Sequence, residues 1–187
     1  MLPDLWIQLV DDRTCSPDGL LTNTTGDRYV LADVGVVLDG RVVAREGSMT
    51  LYRMHGPWHL LESVQQVYPD SWCPNWCSFT YFKPHQRGTL IVHIGRPGYG
   101  GAGPAGRATI TVGSVRIAHH TPELGTVERV IHRLVRNGQP GEVVVPVAST
   151  PVRVEISIPN PLQPAVTGDP RQLGAQVGFT FVPAKRR

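Results

Sequence analysis

Apolar and polar residues alternate without a slip from Val152 to Ile158. Val152, Val154, Ile156 and Ile158 fall on one side; Arg153, Glu155 and Ser157 fall on the other. A period of two marks a strand with one face on a core and the other in water. A second run, Gln176 to Val182, aligns Val177, Phe179 and Phe181 in the same way. Between the two lie Pro159, Pro161 and Pro164 and then the turn Asp169-Pro170-Arg171-Gln172-Leu173-Gly174. In such a turn Asp169 is placed to cap the backbone and Arg171 to pair with a carboxylate. Gly174 is placed to supply a positive φ where the strand restarts.

Shorter runs of the same kind fill the rest of the chain. Leu5 to Val10 reads as a first strand and Cys15 to Asp27 as a polar loop. Tyr29 to Leu38 is followed by Asp39-Gly40 and Arg41-Val42-Val43, a strong hairpin signal. Further strands are expected at Met49–Arg53, Trp58–Val64, Ser78–Phe82, Thr89–Ile94, Ala108–Val112 and Val143–Val147. One segment is ambiguous. In Thr126–Arg136 the residues Val127, Val130, Ile131 and Leu134 fit a helical stripe, but β-branched content and the following Asn137-Gly138 favour a strand and hairpin. About ten short strands without a clear helix give an all-β fold, an antiparallel two-sheet sandwich of the jelly-roll or a related type. Function is then expected in the loops between strands.

Composition supports this picture. The chain carries 20 glycines and 17 prolines, about a fifth of 187 residues, against roughly 12% in average usage. They are spread among the strand runs as turns would be. Residues 1–187 read as a single domain, with 1–28 a lead-in or edge segment and 183–187 a tail. Net charge is +3, and no Lys/Arg block lies beside interleaved aromatics, so a nucleic-acid footprint is not seen. No apolar run reaches the ~20 residues that span a bilayer. The start, Met1-Leu2-Pro3-Asp4-Leu5-Trp6, lacks the basic region and cleavage site of a signal peptide. Taken literally, that start places the chain in the cytoplasm; the alternative is one piece of a longer protein whose membrane segments lie elsewhere.

Candidate chemistry concentrates in Tyr68-Pro69-Asp70-Ser71-Trp72-Cys73-Pro74-Asn75-Trp76. Indole and phenol faces stack on the C–H faces of sugar rings, while carboxylate and amide groups take hydroxyls. Tyr68, Trp72 and Trp76 are therefore candidate stacking residues, and Asp70 and Asn75 candidate hydroxyl ligands. The alternative is that both indoles plug one end of the sandwich. Cys73 and Cys77 bracket a three-residue turn and are open to three readings: a disulfide, free buried thiols, or a metal site completed by His55, His59 or His85. Cys15 is the third cysteine, and Asn23-Thr24-Thr25 matches a glycosylation sequon.

Other constellations carry less. The glycine-rich Arg96–Arg107 lacks the Gly-Lys-Ser/Thr and following helix of a phosphate loop and reads as a long mobile or ligand-facing loop. Asp11-Asp12 has no calcium-loop pattern around it, so structural calcium is unsupported and no cofactor is expected. His119-His120, as strand neighbours, would point to opposite faces. No pair of carboxylates fits a glycosidase, and no Gly-x-Ser-x-Gly elbow is present. No catalytic or metal-binding residue is assigned.

The succession Leu51-Tyr52-Arg53, His55-Gly56-Pro57-Trp58, Tyr68-Pro69-Asp70-Ser71-Trp72 and Asp169-Pro170-Arg171-Gln172-Leu173-Gly174-Ala175-Gln176-Val177 resembles a family. It is similar to the extracytoplasmic β-sandwich modules of actinobacterial membrane glycosyltransferases that use polyprenyl-phosphosugars, over roughly Val30–Val182. The family's pattern has Gly where Ser71 stands. The resemblance implies a galactose-binding-like jelly roll, a cell-envelope glycan or polysaccharide as ligand, and a membrane-embedded glycosyltransferase region as partner. It also implies an extracytoplasmic location, where oxidised cysteines are at home. The expected function is a non-catalytic carbohydrate-binding module. The alternative is a structural or assembly sandwich that contacts another chain through its loops, the Gly-rich one first.

Overall fold

The computed structural model describes residues 8–10, 15–21, 26–96, 105–119, 121–162 and 168–185. Asp11-Asp12, the Asn23 sequon, residues 97–104 of the Gly-rich segment, His120 and the tail's last two arginines lie outside them. Fourteen strands and no helix occur among the described residues. They are β1 Gln8–Val10, β2 Arg28–Ala32, β3 Val36–Leu38, β4 Arg41–Glu46, β5 Met49–Met54, β6 Leu60–Gln65 and β7 Trp72–Cys73. The rest are β8 Trp76–Tyr81, β9 Gly88–Gly95, β10 Gly106–Ala118, β11 Thr121–Val135, β12 Glu142–Val147, β13 Val152–Ser157 and β14 Ala175–Pro183. The ambiguous segment is thus a strand, the long edge strand β11.

The strands form three sheets, ordered β1-β2-β5-β4, β11-β10-β13-β8-β6-β3 and β12-β9-β14-β7. All pairings are antiparallel except β1 with β2, which is parallel. From β7 onward the chain alternates between the six- and four-stranded sheets except at the β10–β11 hairpin. Their inner faces enclose the principal core, in which Val152, Val154 and Ile156 of β13 meet Leu90, Val92 and Ile94 of β9 and Val177 and Phe181 of β14. The alternation in the sequence foretells that face directly.

It does not foretell the third layer. Register places Val36, Ser63, Thr80, Arg153 and Gly113 in one row on the opposite face of the six-stranded sheet. That face is not wet throughout. Val36 of the row, with Val115 and Ile117 further along β10, packs on a second core that holds Val30, Ala32, Tyr52 and Met54 of the first sheet together with Trp58 and Phe82. Arg153, read from the pattern as solvent-facing, is only 2% exposed. Its guanidinium donates to Glu155 (3.0 Å), Thr80 (2.8 Å) and Gln65 (3.0 Å), which is how a cation is accommodated in such a place.

Two turn signals also differ from expectation. Asp39-Gly40 does not close a hairpin, because β3 pairs with β6 and β4 with β5; the turn carries the chain from one sheet to another. A Cβ on Gly40 would lie 2.2 Å from the Met54 sulfur, so glycine there permits close approach of layers. Asn137-Gly138 likewise leads from β11 to β12 in the facing sheet. His119 is not on a strand but in the β10–β11 turn.

Candidate functional site

The segment 68–76 is organised by its backbone. Ser71 N–H donates to Tyr68 C=O (2.8 Å) and Tyr68 N–H to Trp72 C=O (2.8 Å), closing a tight turn before β7. Ser71 sits at φ 70°, a left-handed conformation that favours glycine. β7 is only two residues long, and Cys73 is disulfide-bonded to Cys77 at a Cα separation of 5.6 Å. The bond joins β7 of the four-stranded sheet to β8 of the six-stranded sheet. Of the three cysteine readings, the disulfide is the one formed, and Cys15 is buried in the second core.

This geometry sends the predicted site residues in different directions. Trp72 is 4% exposed and packs with Leu162, Leu173 and Tyr68 in a small separate cluster. That corrects its expected stacking role: an indole closed in by a core presents no face to a sugar. Trp76 is half-buried and begins β8, opposite Ser157, on the other side of the six-stranded sheet from the principal core. Asn75 is exposed, and its carbonyl accepts from Ile158 N–H at 2.7 Å. The five candidates therefore do not converge on one platform.

Asp70 is drawn to a partner 101 residues away. Arg171 donates to both of its carboxylate oxygens at 2.9 and 2.7 Å. The same guanidinium donates to Asp169 at 2.7 and 3.0 Å and lies 4.8 Å over the Tyr68 ring centroid. Asp169 also accepts from the Arg171 backbone N–H, the capping role expected of it. Arg171 holds the Asp70 carboxyl below the ordinary carboxylate range and brings that of Asp169 to about 2. Both carboxylates are occupied and one face of Tyr68 is covered, so the cluster fastens the 68–76 turn to the 169–174 turn. Gly174 meets its expected importance for a different reason. A Cβ there would stand 1.8 Å from the Pro74 carbonyl oxygen, and no positive φ is involved.

An open site lies beside this fastening, and sequence reasoning missed it. β7 covers β14 only at Ala175 and Gln176, while β6 and β3 extend the six-stranded sheet further. Where the larger sheet overhangs the smaller, a cleft of about 220 Å³ opens between the layers. Its lining includes Tyr68, Val64, Phe79, Phe179 and the carboxyl-bearing Glu62. Phe79 of β8 and Phe179 of β14 stack across the two sheets with centroids 4.9 Å apart and rings 4° from parallel. Burial pushes the Glu62 carboxyl above its ordinary value, and that half-buried charge in turn raises the neighbouring Tyr81 phenol, itself already raised by burial. Phe179 was legible as an inward-facing aromatic; that its neighbour β7 would be too short to run alongside it was not.

Among the described residues there is no cluster of three or more His, Cys, Asp or Glu suited to a metal ion and no helix long and apolar enough to cross a membrane. No family model matches the chain, and neither the curated proteins nor the solved structures contain a significant match to it.

Proposed function

We propose that this chain is a non-catalytic carbohydrate-binding module, the extracytoplasmic part of a membrane glycosyltransferase, and that it seats a sugar ring in the cleft between Tyr68, Glu62 and Phe179. The observation that carries the reading is the cleft itself: an opening lined by Tyr68 and Phe179, with the carboxyl-bearing Glu62 in its wall. Aromatic rings accept the apolar face of a pyranose, and a carboxyl orients it through hydroxyls. At about 220 Å³ the cleft is smaller than the roughly 300–1,000 Å³ of sites for drug-sized ligands, which suits one ring of a longer glycan. Glu62 is the only carboxyl among its described lining residues, where glycoside hydrolysis asks for two.

Two further observations support the reading. The strand orders 12-9-14-7 and 11-10-13-8 are those of two interleaved Greek keys, and we infer from them that β7–β14 form a jelly roll, an architecture found in lectin domains. The Cys73–Cys77 bond fits an oxidising, extracytoplasmic compartment.

A panel of cell-envelope glycans titrated calorimetrically tests the proposal. The wild-type chain should bind at least one, and Glu62→Gln and Phe179→Ala should each weaken it about tenfold while melting as folded proteins. Failure of the wild type to bind any glycan, with stable capture of a protein partner instead, favours the assembly reading and removes this one.

A further inference from the structure

The opposite end of the sandwich carries a second, larger concavity that shares no lining residue with the Tyr68 cleft. It measures about 760 Å³ and lies between the β8–β9 loop, the end of β12, the end of β14 and the side of β11. Arg87, Arg129, Lys185 and His85 line it together with Pro146 and Pro183, and no carboxylate is among its described lining residues. Elsewhere on the surface Arg116 is paired with Glu123 and Arg171 with Asp70 and Asp169. Arg87, Arg129 and Lys185 form no ion pair among the described residues. Three exposed cations from three separate segments thus face one groove without their own counter-charge.

The groove is also held in shape. Thr150 is buried; its hydroxyl accepts from Gln86 N–H at 3.0 Å and donates to the Lys83 carbonyl, and its own carbonyl accepts from His85 N–H at 3.0 Å. Tyr81 Oη donates to Gln86 at 2.9 Å, and Ala184 N–H donates to the Arg87 carbonyl at 2.8 Å. A Cβ on Gly88 would stand 2.4 Å from the Val182 carbonyl oxygen, so glycine lets β9 and β14 close up at the groove's edge. The loop bearing Arg87 is therefore anchored to β8, the β12–β13 loop and the end of β14, and the cations are presented on a fixed frame.

We propose that this groove binds the phosphoryl group of an organic phosphate or diphosphate. Guanidinium forks match phosphate oxygens pairwise, and several converging cations favour a group with more than one negative charge. The size of the groove and its wall of Pro146, Ala148 and Pro183 leave room for an organic body next to the phosphate. The phosphate is carried by a soluble molecule or by a lipid headgroup, and the two sources are separable by experiment.

The probes are inorganic pyrophosphate, titrated at low salt, and vesicles of phosphatidylcholine with or without phosphatidic acid, followed by co-sedimentation. Wild-type protein should bind pyrophosphate, or the phosphatidic-acid vesicles, or both. Arg87→Ala and Arg129→Ala should each weaken that binding about tenfold, whereas Arg45→Ala on exposed β4 should leave it unchanged. Added salt should weaken it as well. Pyrophosphate binding alone assigns a soluble ligand; vesicle binding lost in the groove variants assigns a lipid-borne one. The proposal is overturned if the wild type binds neither probe, or if Arg45→Ala loses as much as Arg87→Ala. Melting curves of the variants should overlay that of the wild type. Glycan binding in the Tyr68 cleft, which these arginines do not line, should be unaffected.

Discussion

Ser71 holds a left-handed backbone conformation at φ 70° and is exposed, with its amide and carbonyl both used by the turn and β14. A side chain in that region costs about 1 kcal/mol, and glycine removes the cost without touching either hydrogen bond. Ser71→Gly should therefore raise stability by about 1 kcal/mol in urea unfolding, a little less if the freer unfolded chain offsets part of it. No gain, or a loss, would mean that the turn is not strained there. Other residue-scale features divide by how local they are. The Asp169 cap to Arg171 spans two residues and follows from turn chemistry. The Asp70 partner of the same arginine lies 101 residues away, in the turn before the paired strand β7, and has no local signature. Trp72 and Trp76 look equivalent in the sequence, each standing immediately before a cysteine. They part company because Trp72 enters the four-stranded sheet and Trp76 the six-stranded one.

At the scale of elements, strand positions were legible because the principal core imposes a clean period of two on β9, β13 and β14. Strand partners were not. Asp-Gly and Asn-Gly mark reversals of the chain, and a reversal serves equally to pair neighbours or to step into the facing layer. The disulfide sits at one such step. It closes a very short loop, for which the chain-entropy estimate is about 2 kcal/mol at 25 °C. Reduction should lower unfolding stability by about that amount. The Tyr68 cleft should suffer too, because β7 precedes β8 directly and its placement determines how much of β14 is left open. Urea curves with and without reductant provide the check; coincident curves would show that Trp72, Leu162 and Leu173 alone keep β7 in place.

The whole molecule is a stack of three sheets, and the middle one is shared. That sharing explains what the sequence pattern hides: residues on the second face of β8 and β13 alternate as if they met water, yet Ser78, Thr80 and Arg153 are buried. Small polar side chains and one arginine satisfied by Glu155, Thr80 and Gln65 make a polar zone on the second face of the shared sheet. Hydropathy alone cannot tell such a zone from a surface, since its residues are those of a surface. Its energetic consequence differs. Removing the guanidinium leaves three polar partners in a confined place, at a cost of about 3 kcal/mol for Arg153→Ala. Because β13 and β8 contribute to the principal core on their other face, the loss should not be confined to the first layer. Amide hydrogen exchange in β5, which carries Tyr52 and Met54 of the second core, and in β13 should then report one cooperative opening with the same protection in both. An Arg153→Ala protein in which β5 is far less protected than β13 would show instead that the first sheet is a separately folding cover, and that the two cores do not stand or fall through the sheet between them.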